Sequence, residues 1–210
     1  MFRELRRKKQ ALSIEESAAV LDRGTSGVLA LAGDYDYPYA VPISYVYDGE
    51  KLYFHCARSG HKLDAIRRNP KASFCVIDQD HIVPKEYTTY FRSVIVFGTI
   101  RILENDEEKW DSIEKLALKY APADTEENRK RAIEREWKPL CMLEMTPEHI
   151  SGKEAIELKR YDLSYISEFL LEMGRGGIDE QLSVHTKQRG QAITDGNVKN
   201  RCLHRENIIE

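Results

Sequence analysis

At 210 residues the chain is long enough for one domain with a usable core, or one domain plus an extension, and too short for two large enzyme domains. Hydrophobic residues make up 41% and charged residues 32%, as in a globular protein with a salted surface, and a net charge of -3 gives no global attraction for nucleic acid or membrane. The four cysteines, Cys56, Cys75, Cys141 and Cys202, lack a short repeated spacing, "MFRELRRKKQ" has no apolar run behind it, and no stretch approaches the roughly 20 apolar residues of a spanning helix; a soluble cytoplasmic protein with reduced thiols is expected.

The first element in chain order is "SIEESAAVLDRG". Ser13 and Glu16 have the spacing of a capping box, Ile14, Ala18, Val20 and Leu21 form a helical stripe, and Gly24 ends the helix. From Thr25 the pattern turns to short β-rich runs, "TSGVLALAG", "YPYAVPISYVYDG" and "KLYFHCA", with Asp48-Gly49 as a hairpin signal. "SGHKLDAIRRNP" then reads as a helix begun at Ser59 or Gly60, with Leu63 and Ile66 inward and Asn69-Pro70 as its stop.

"KASFCVID" and "YTTYFRSVIVFGTIRIL" supply two more strands. Two helices follow over residues 105–137, the first capped by Asn105 or Asp106, and a last strand runs from about Leu140 to Met145. One helix, three strands, a helix, two strands, two helices and a strand, mostly joined by short connections, argue for an antiparallel barrel or curled sheet with helices outside. No G-x-G-x-x-G or G-x-x-x-x-G-K-[ST] is present to support a parallel nucleotide-binding sheet. The division expected is a folded domain over 1–160 and an extension over 161–210, with one possible short helix and then a polar, Gly-dotted, flexible tail.

The residues with most chemistry in them lie in "YFHCARSGHKLDAIRRNP", where His55, Cys56 and His61 fall within seven positions. A zinc site needs paired short spacings, and neither C-x-x-C nor H-x-x-x-H occurs here, so no metal is expected. Strand alternation sets Leu52, Phe54 and Cys56 on one face and Tyr53, His55 and Ala57 on the other, which makes Cys56 a small core residue before it is a nucleophile. Arg58, Lys62, Arg67, Arg68 and Lys71 suggest nucleic acid, yet Asp64 interrupts them and arginines in a last helical turn commonly serve the dipole. A phosphate site fits better. A Ser-Gly turn at a helix start exposes backbone N–H groups, and His61 and Lys62 put cations where the dipole alone favours acids; the alternative is a surface loop with incidental basic residues.

The run "YAVPISYVYDGEKLYFHCARSGHKLDAIRRNPKASFCV", with "YTTYFRSVIVFGTIRIL" and "EWKPLCMLEMTPEHISGKEA", resembles the flavin-binding split-barrel proteins related to pyridoxamine 5'-phosphate oxidase, and within them the branch of the Nim nitroimidazole-resistance proteins. The resemblance covers about residues 1–160. It implies a mainly β fold, a six-stranded antiparallel split barrel with peripheral helices, and a homodimer holding FMN at its interface. Matched position by position, it implies that Val41, Pro42, Ile43 and Ser44 run along the flavin, with Phe54, His55 and Cys56 beside them. Ser59, Gly60, His61 and Lys62 would hold the phosphate, with Arg92 and Ser93, and Trp137 from the partner chain, as further candidates for the flavin and His55 as the catalytic proton donor or relay. The alternative roles are a half-buried strand histidine, hydrogen-bonded to backbone, for His55 and a core aromatic for Trp137.

The chain departs from the oxidases proper. Their R-x-V-L-L-K type strand, whose arginine and lysine serve the FMN phosphate, corresponds here to "YAVPISY", which has neither, and "HISGKEA" lacks their substrate-binding arginine motif. The resemblance therefore implies an FMN-dependent reductase of small electron-poor substrates such as nitroimidazoles more than a vitamin-salvage oxidase. NAD(P)H or a reductase partner would be the electron donor. A flavin-storage or flavin-sensing protein and, on the same barrel, a haem protein with His55 or His61 as axial ligand are the competing readings.

Overall fold

A computed structural model describes residues 2–159; the extension expected over 161–210 lies outside the described residues. Four helices, α1 (Ile14–Arg23), α2 (His61–Arg68), α3 (Asp106–Tyr120) and α4 (Glu126–Glu136), surround one sheet. Its strands are β1 (Ser26–Ala32), β2 (Pro38–Ser44), β3 (Val46–Tyr47), β4 (Leu52–Ala57), β5 (Lys71–Val83), β6 (Thr88–Ile102) and β7 (Leu140–Glu154). They lie in the order β2-β1-β5-β6-β7-β4-β3, antiparallel at every pairing. No helix among the described residues is long and apolar enough to cross a membrane.

The sheet has seven strands where the sequence predicts six, and Tyr45 is the reason. The run "VPISYVY" is one extended segment, but at Tyr45 the amide donates to the Tyr120 Oη of α3 at 3.1 Å instead of to a neighbouring strand. The Tyr120 hydroxyl in turn donates to the Thr25 carbonyl, and Tyr45 Oη donates to the Leu21 carbonyl of α1 at 2.7 Å. The segment pairs with β1 before Tyr45 and with β4 after it. Both ends of the strand order therefore belong to one piece of chain, which closes the sheet into a split barrel.

Alternation fills the interior. Leu29, Leu31, Ile43, Leu52, Phe54, Phe74, Val94, Val96, Leu143 and Met145 are buried in one cluster with Val20 and Leu21 of α1 and Leu63 and Ile66 of α2. Phe74 sits at its centre, edge-on to Tyr45 at 4.8 Å and to Phe54 at 5.0 Å, an arrangement that adds about 0.5–1.5 kcal/mol per pair beyond burial. A second cluster, Val46, Tyr53, Leu103, Leu116, Leu140 and Met142, packs the outer face of β4 and β7 against α3 and Trp137.

Local signals explain most boundaries. Ser13 and Glu16 form the expected capping box, with the Glu16 amide donating to Ser13 Oγ at 3.0 Å and the Ser13 amide donating to the Glu16 carboxylate at 2.6 Å. Asn105 caps α3 and Thr125 caps α4. Gly49 takes φ +97 in the β3–β4 turn, where Asp48 Oδ1 accepts from the Lys51 amide at 2.9 Å.

Three details differ from expectation. Gly24 has φ -65 and is no left-handed cap; a Cβ there would lie 2.5 Å from Tyr45 Oη, so close approach explains the glycine. Ile14 is 78% exposed, and the inward positions of α1 are Ser17, Val20 and Leu21. β7 continues from Met145 to Glu154 because "HISGKE", polar by composition, is carried by β6 along its whole length.

Candidate functional site

The site begins at the split in the barrel. β4 pairs with β7 along its length but with β3 only at Leu52 and Tyr53, while β2 pairs with β1 alone. Extending the Val46↔Tyr53 register would set Ser44 level with His55, yet no ladder joins them among the described residues. From there on the edges of β2 and β4 face a slot with unpaired backbone groups, which demand hydrogen-bond partners.

Pro42 and Ser44 face outward on β2, Val41 and Ile43 pack toward the barrel, and on β4 His55 faces outward between Tyr53 and Ala57. Phe54 is buried, and Cys56 is half-buried against the core, as alternation predicts.

The end of β4 leads through Arg58 and Ser59 into the N-terminus of α2. Gly60 is the cap position, with φ +125, open space where a side chain would stand, and no capping side-chain hydrogen bond. The first amides of α2 are thus free to meet an anion. Lys62, half-buried in this first turn, makes no ion pair among the described residues. His61 is partly engaged: its ring lies 4.1 Å from that of Tyr39, and Nε2 is 3.5 Å from Asp34, which also accepts from Arg68 at 2.5 Å.

Burial, and then the Lys62 ammonium, lower the pKa of His55 from its ordinary value of 6.5, so the imidazole is neutral near pH 7. A neutral imidazole can take up a proton on its free ring nitrogen while releasing one from the other, the property a relay requires.

The structure brings together Val41 to Ser44, Phe54 to Cys56 and Ser59 to Lys62, but not Arg92 and Ser93. Arg92 and Ser93 lie opposite Glu154 and Lys153 on β7, whereas His55 lies opposite Met142. From 142 to 154 is twelve residues, about 40 Å of strand at roughly 3.3 Å per residue. Arg92 is also held by carboxylates, Glu154 at 2.8 Å and Asp78 at 3.5 Å. Trp137 packs in its own chain, 5.5 Å from Trp110, with Lys109 Nζ 3.8 Å from its ring centroid, in the cluster that contains Tyr53 and Met142. That cluster lies on the outward face of β4 and β7, where His55 opposes Met142.

Tyr39 and Asp34 are the residues that sequence reasoning missed. The turn "GDYDYP" next to "YAVP" carries Asp34 and Tyr39 but gives no sign that they meet His61. Among the described residues no group of three or more His, Cys, Asp or Glu could hold a metal ion.

The profile of the pyridoxamine 5'-phosphate oxidase family matches residues 13–154. An uncharacterized protein of Rhizobium meliloti (strain 1021) is 38% identical over 69 residues, which span 33% of this chain and 44% of that one, less than half of the relative's length. Among solved structures, a candidate 5-nitroimidazole antibiotic resistance protein of Bacteroides thetaiotaomicron superposes with a TM-score of 0.57 at 16% identity, over 69% of this chain and 86% of the other. A FAD-binding protein of Mesorhizobium loti superposes with a TM-score of 0.52 at 24% identity, over 70% and 97%. These likenesses establish the split-barrel fold.

Proposed function

Because the chain belongs to the pyridoxamine 5'-phosphate oxidase family, we propose that it binds FMN along the slot between β2 and β4 and reduces small electron-poor compounds of the nitroimidazole type. The observation that carries this reading is the slot itself. Among the described residues, two unpaired strand edges run beside His55 and end at the uncapped start of α2, with Gly60 open and Lys62 without a carboxylate partner. Membership alone does not assign oxidation of a vitamin phosphate, since "YAVPISY" lacks the basic residues of that activity.

The residues fit the group. Val41, Ile43 and Ser44 on β2 and Phe54 to Cys56 on β4 offer backbone donors and acceptors to a flat heteroaromatic edge, and the α2 amides with Lys62 offer charge-assisted bonds to a phosphate. His61 can join them by exchanging Asp34 for the phosphate. A bound flavin supplies reversible two-electron chemistry. His55 takes up a proton from solvent on one ring nitrogen as it releases one from the other toward a nitro oxygen, relaying it as that group is reduced. NAD(P)H or a separate reductase is the electron donor in this reading.

The test is the visible spectrum of the purified protein, followed by anaerobic reduction with NAD(P)H and addition of metronidazole. A yellow protein that bleaches and is reoxidised by the nitro compound, over repeated cycles, is the expected result. A colourless protein that takes up no added FMN overturns the binding reading. Bound FMN that metronidazole reoxidises no faster than free FMN overturns the reductase reading and leaves flavin storage or sensing.

A further inference from the structure

Cys56 and Cys141 are directly opposed in the β4/β7 ladder. Opposed antiparallel residues have Cα atoms about 4.5 Å or about 5.5 Å apart. Both separations fall within the roughly 4.4–6.8 Å that a disulfide spans, so the backbone already stands at bonding distance. Both side chains belong to the barrel's inward face, and the Cys141 thiol donates to the Met142 carbonyl at 3.9 Å.

The two thiols are not equivalent. Cys141 lines a cavity of about 240 Å³, Cys56 does not, and Arg58, Arg67 and Lys109 line the same cavity against the carboxylates of Glu104 and Asp106. Arg67 is shared with Asp64 at 3.1 Å and Lys109 donates to the Trp137 carbonyl at 3.1 Å, whereas Arg58 has no carboxylate partner among the described residues. The neighbouring Cys56 thiol and then the charges of Lys109, Arg58 and Arg67 lower the pKa of the Cys141 thiol against its burial, while the nearness of Cys141 and burial push the Cys56 thiol up.

We infer that Cys56 and Cys141 are a redox-active dithiol that reduces small anionic disulfides entering this cavity, with Cys141 as the attacking and Cys56 as the resolving thiol. The Cys141 thiolate attacks one sulfur of the disulfide, whose S–S bond breaks and whose other half leaves as a thiolate that takes up a proton. Cys56 then loses its proton to solvent and attacks the Cys141 sulfur, expelling the second thiolate. Two protein thiols become one disulfide as one small disulfide becomes two thiols. The Cys56 side chain faces away from His55 and only its backbone borders the slot, so the thiols can be tested apart from flavin binding.

Oxidised glutathione, whose carboxylates suit the cavity's cations, is the probe. The full-length protein is incubated with it, quenched in acid, alkylated and mapped by mass spectrometry, which separates Cys56 and Cys141 from Cys75 and Cys202. The expected product joins the Cys56 and Cys141 peptides with the loss of two hydrogens, and Cys56→Ser instead collects glutathione at Cys141. Arg58→Ala slows the reaction roughly tenfold with glutathione disulfide but not with uncharged hydroxyethyl disulfide. Should Cys56→Ser fail to fold, the cross-link in the parent decides alone. Recovery of both cysteines alkylated in the parent, or adducts confined to Cys75 and Cys202, overturns the inference.

Discussion

At the scale of single residues the site turns on the nearness of His55 to Lys62. If His55 delivers a proton and Lys62 holds a phosphate, their removal has different consequences. His55→Ala is expected to retain FMN while turnover with a nitro substrate falls about a hundredfold, the lower range of general acid catalysis. Lys62→Ala is expected to weaken FMN binding by ten- to a hundredfold, about what one charge-assisted hydrogen bond is worth. Fluorescence titration with FMN and steady-state turnover separate the two, and a His55 variant with unchanged turnover makes the histidine structural. The same pair predicts a pH dependence of stability. His55 has its folded pKa below the unfolded value of 6.5, so the unfolded chain binds the proton more readily. Its effect is absent above that value, and stability is lost as pH falls through about 6.5 toward the folded pKa. Urea midpoints at about pH 7.5 and about pH 5 should fall less in His55→Gln than in the parent. Equal falls in the two proteins would refute the assignment.

At the scale of elements the sheet depends on places where backbones meet without side chains. Gly98 sits at the bulge in the β6/β7 register, and a Cβ there would run into the Thr146 carbonyl, a backbone atom that no rotamer change can move. Gly98→Ala is expected to destabilise the fold by about 1–3 kcal/mol, more than Gly49→Ala, where φ +97 is strained but nothing lies within 4 Å. Urea unfolding ranks the two, and a larger loss at Gly49 would remove the role given to the bulge. The contrast also marks what was legible in the sequence. Capping box, hairpin glycine and alternation are local, and each could be read from a few neighbouring residues. The slot could be placed only through the family resemblance, because it arises where Tyr45 leaves its ladder for Tyr120, 75 positions away. For the same reason the cysteines looked scattered: only the β4/β7 register puts Cys56 beside Cys141.

At the scale of the whole molecule, the outer face of the sheet bears on the assembly. Register carries Pro42, Val28, Cys75 and Ile95 across β2, β1, β5 and β6 in one row, with Ile77 two residues beyond Cys75. Val28 is 37% exposed, Ile95 38% and Ile77 65%, so the row is an apolar strip that begins beside the slot. A second copy laid on this strip would cover it and wall the open side of the slot, and would be the way for Arg92 and Ser93, distant from His55 along β7, to approach a flavin. The dimer implied by the resemblance and the completeness of the flavin site then become one property. Ile77→Glu combined with Ile95→Glu places charge on exposed positions, where the cost to the folded chain is small, and is expected to halve the mass measured by light scattering and to lower retained flavin together. A variant that becomes monomeric yet keeps the parent's flavin content shows that one chain completes the site. A variant that keeps the parent's mass moves the interface elsewhere.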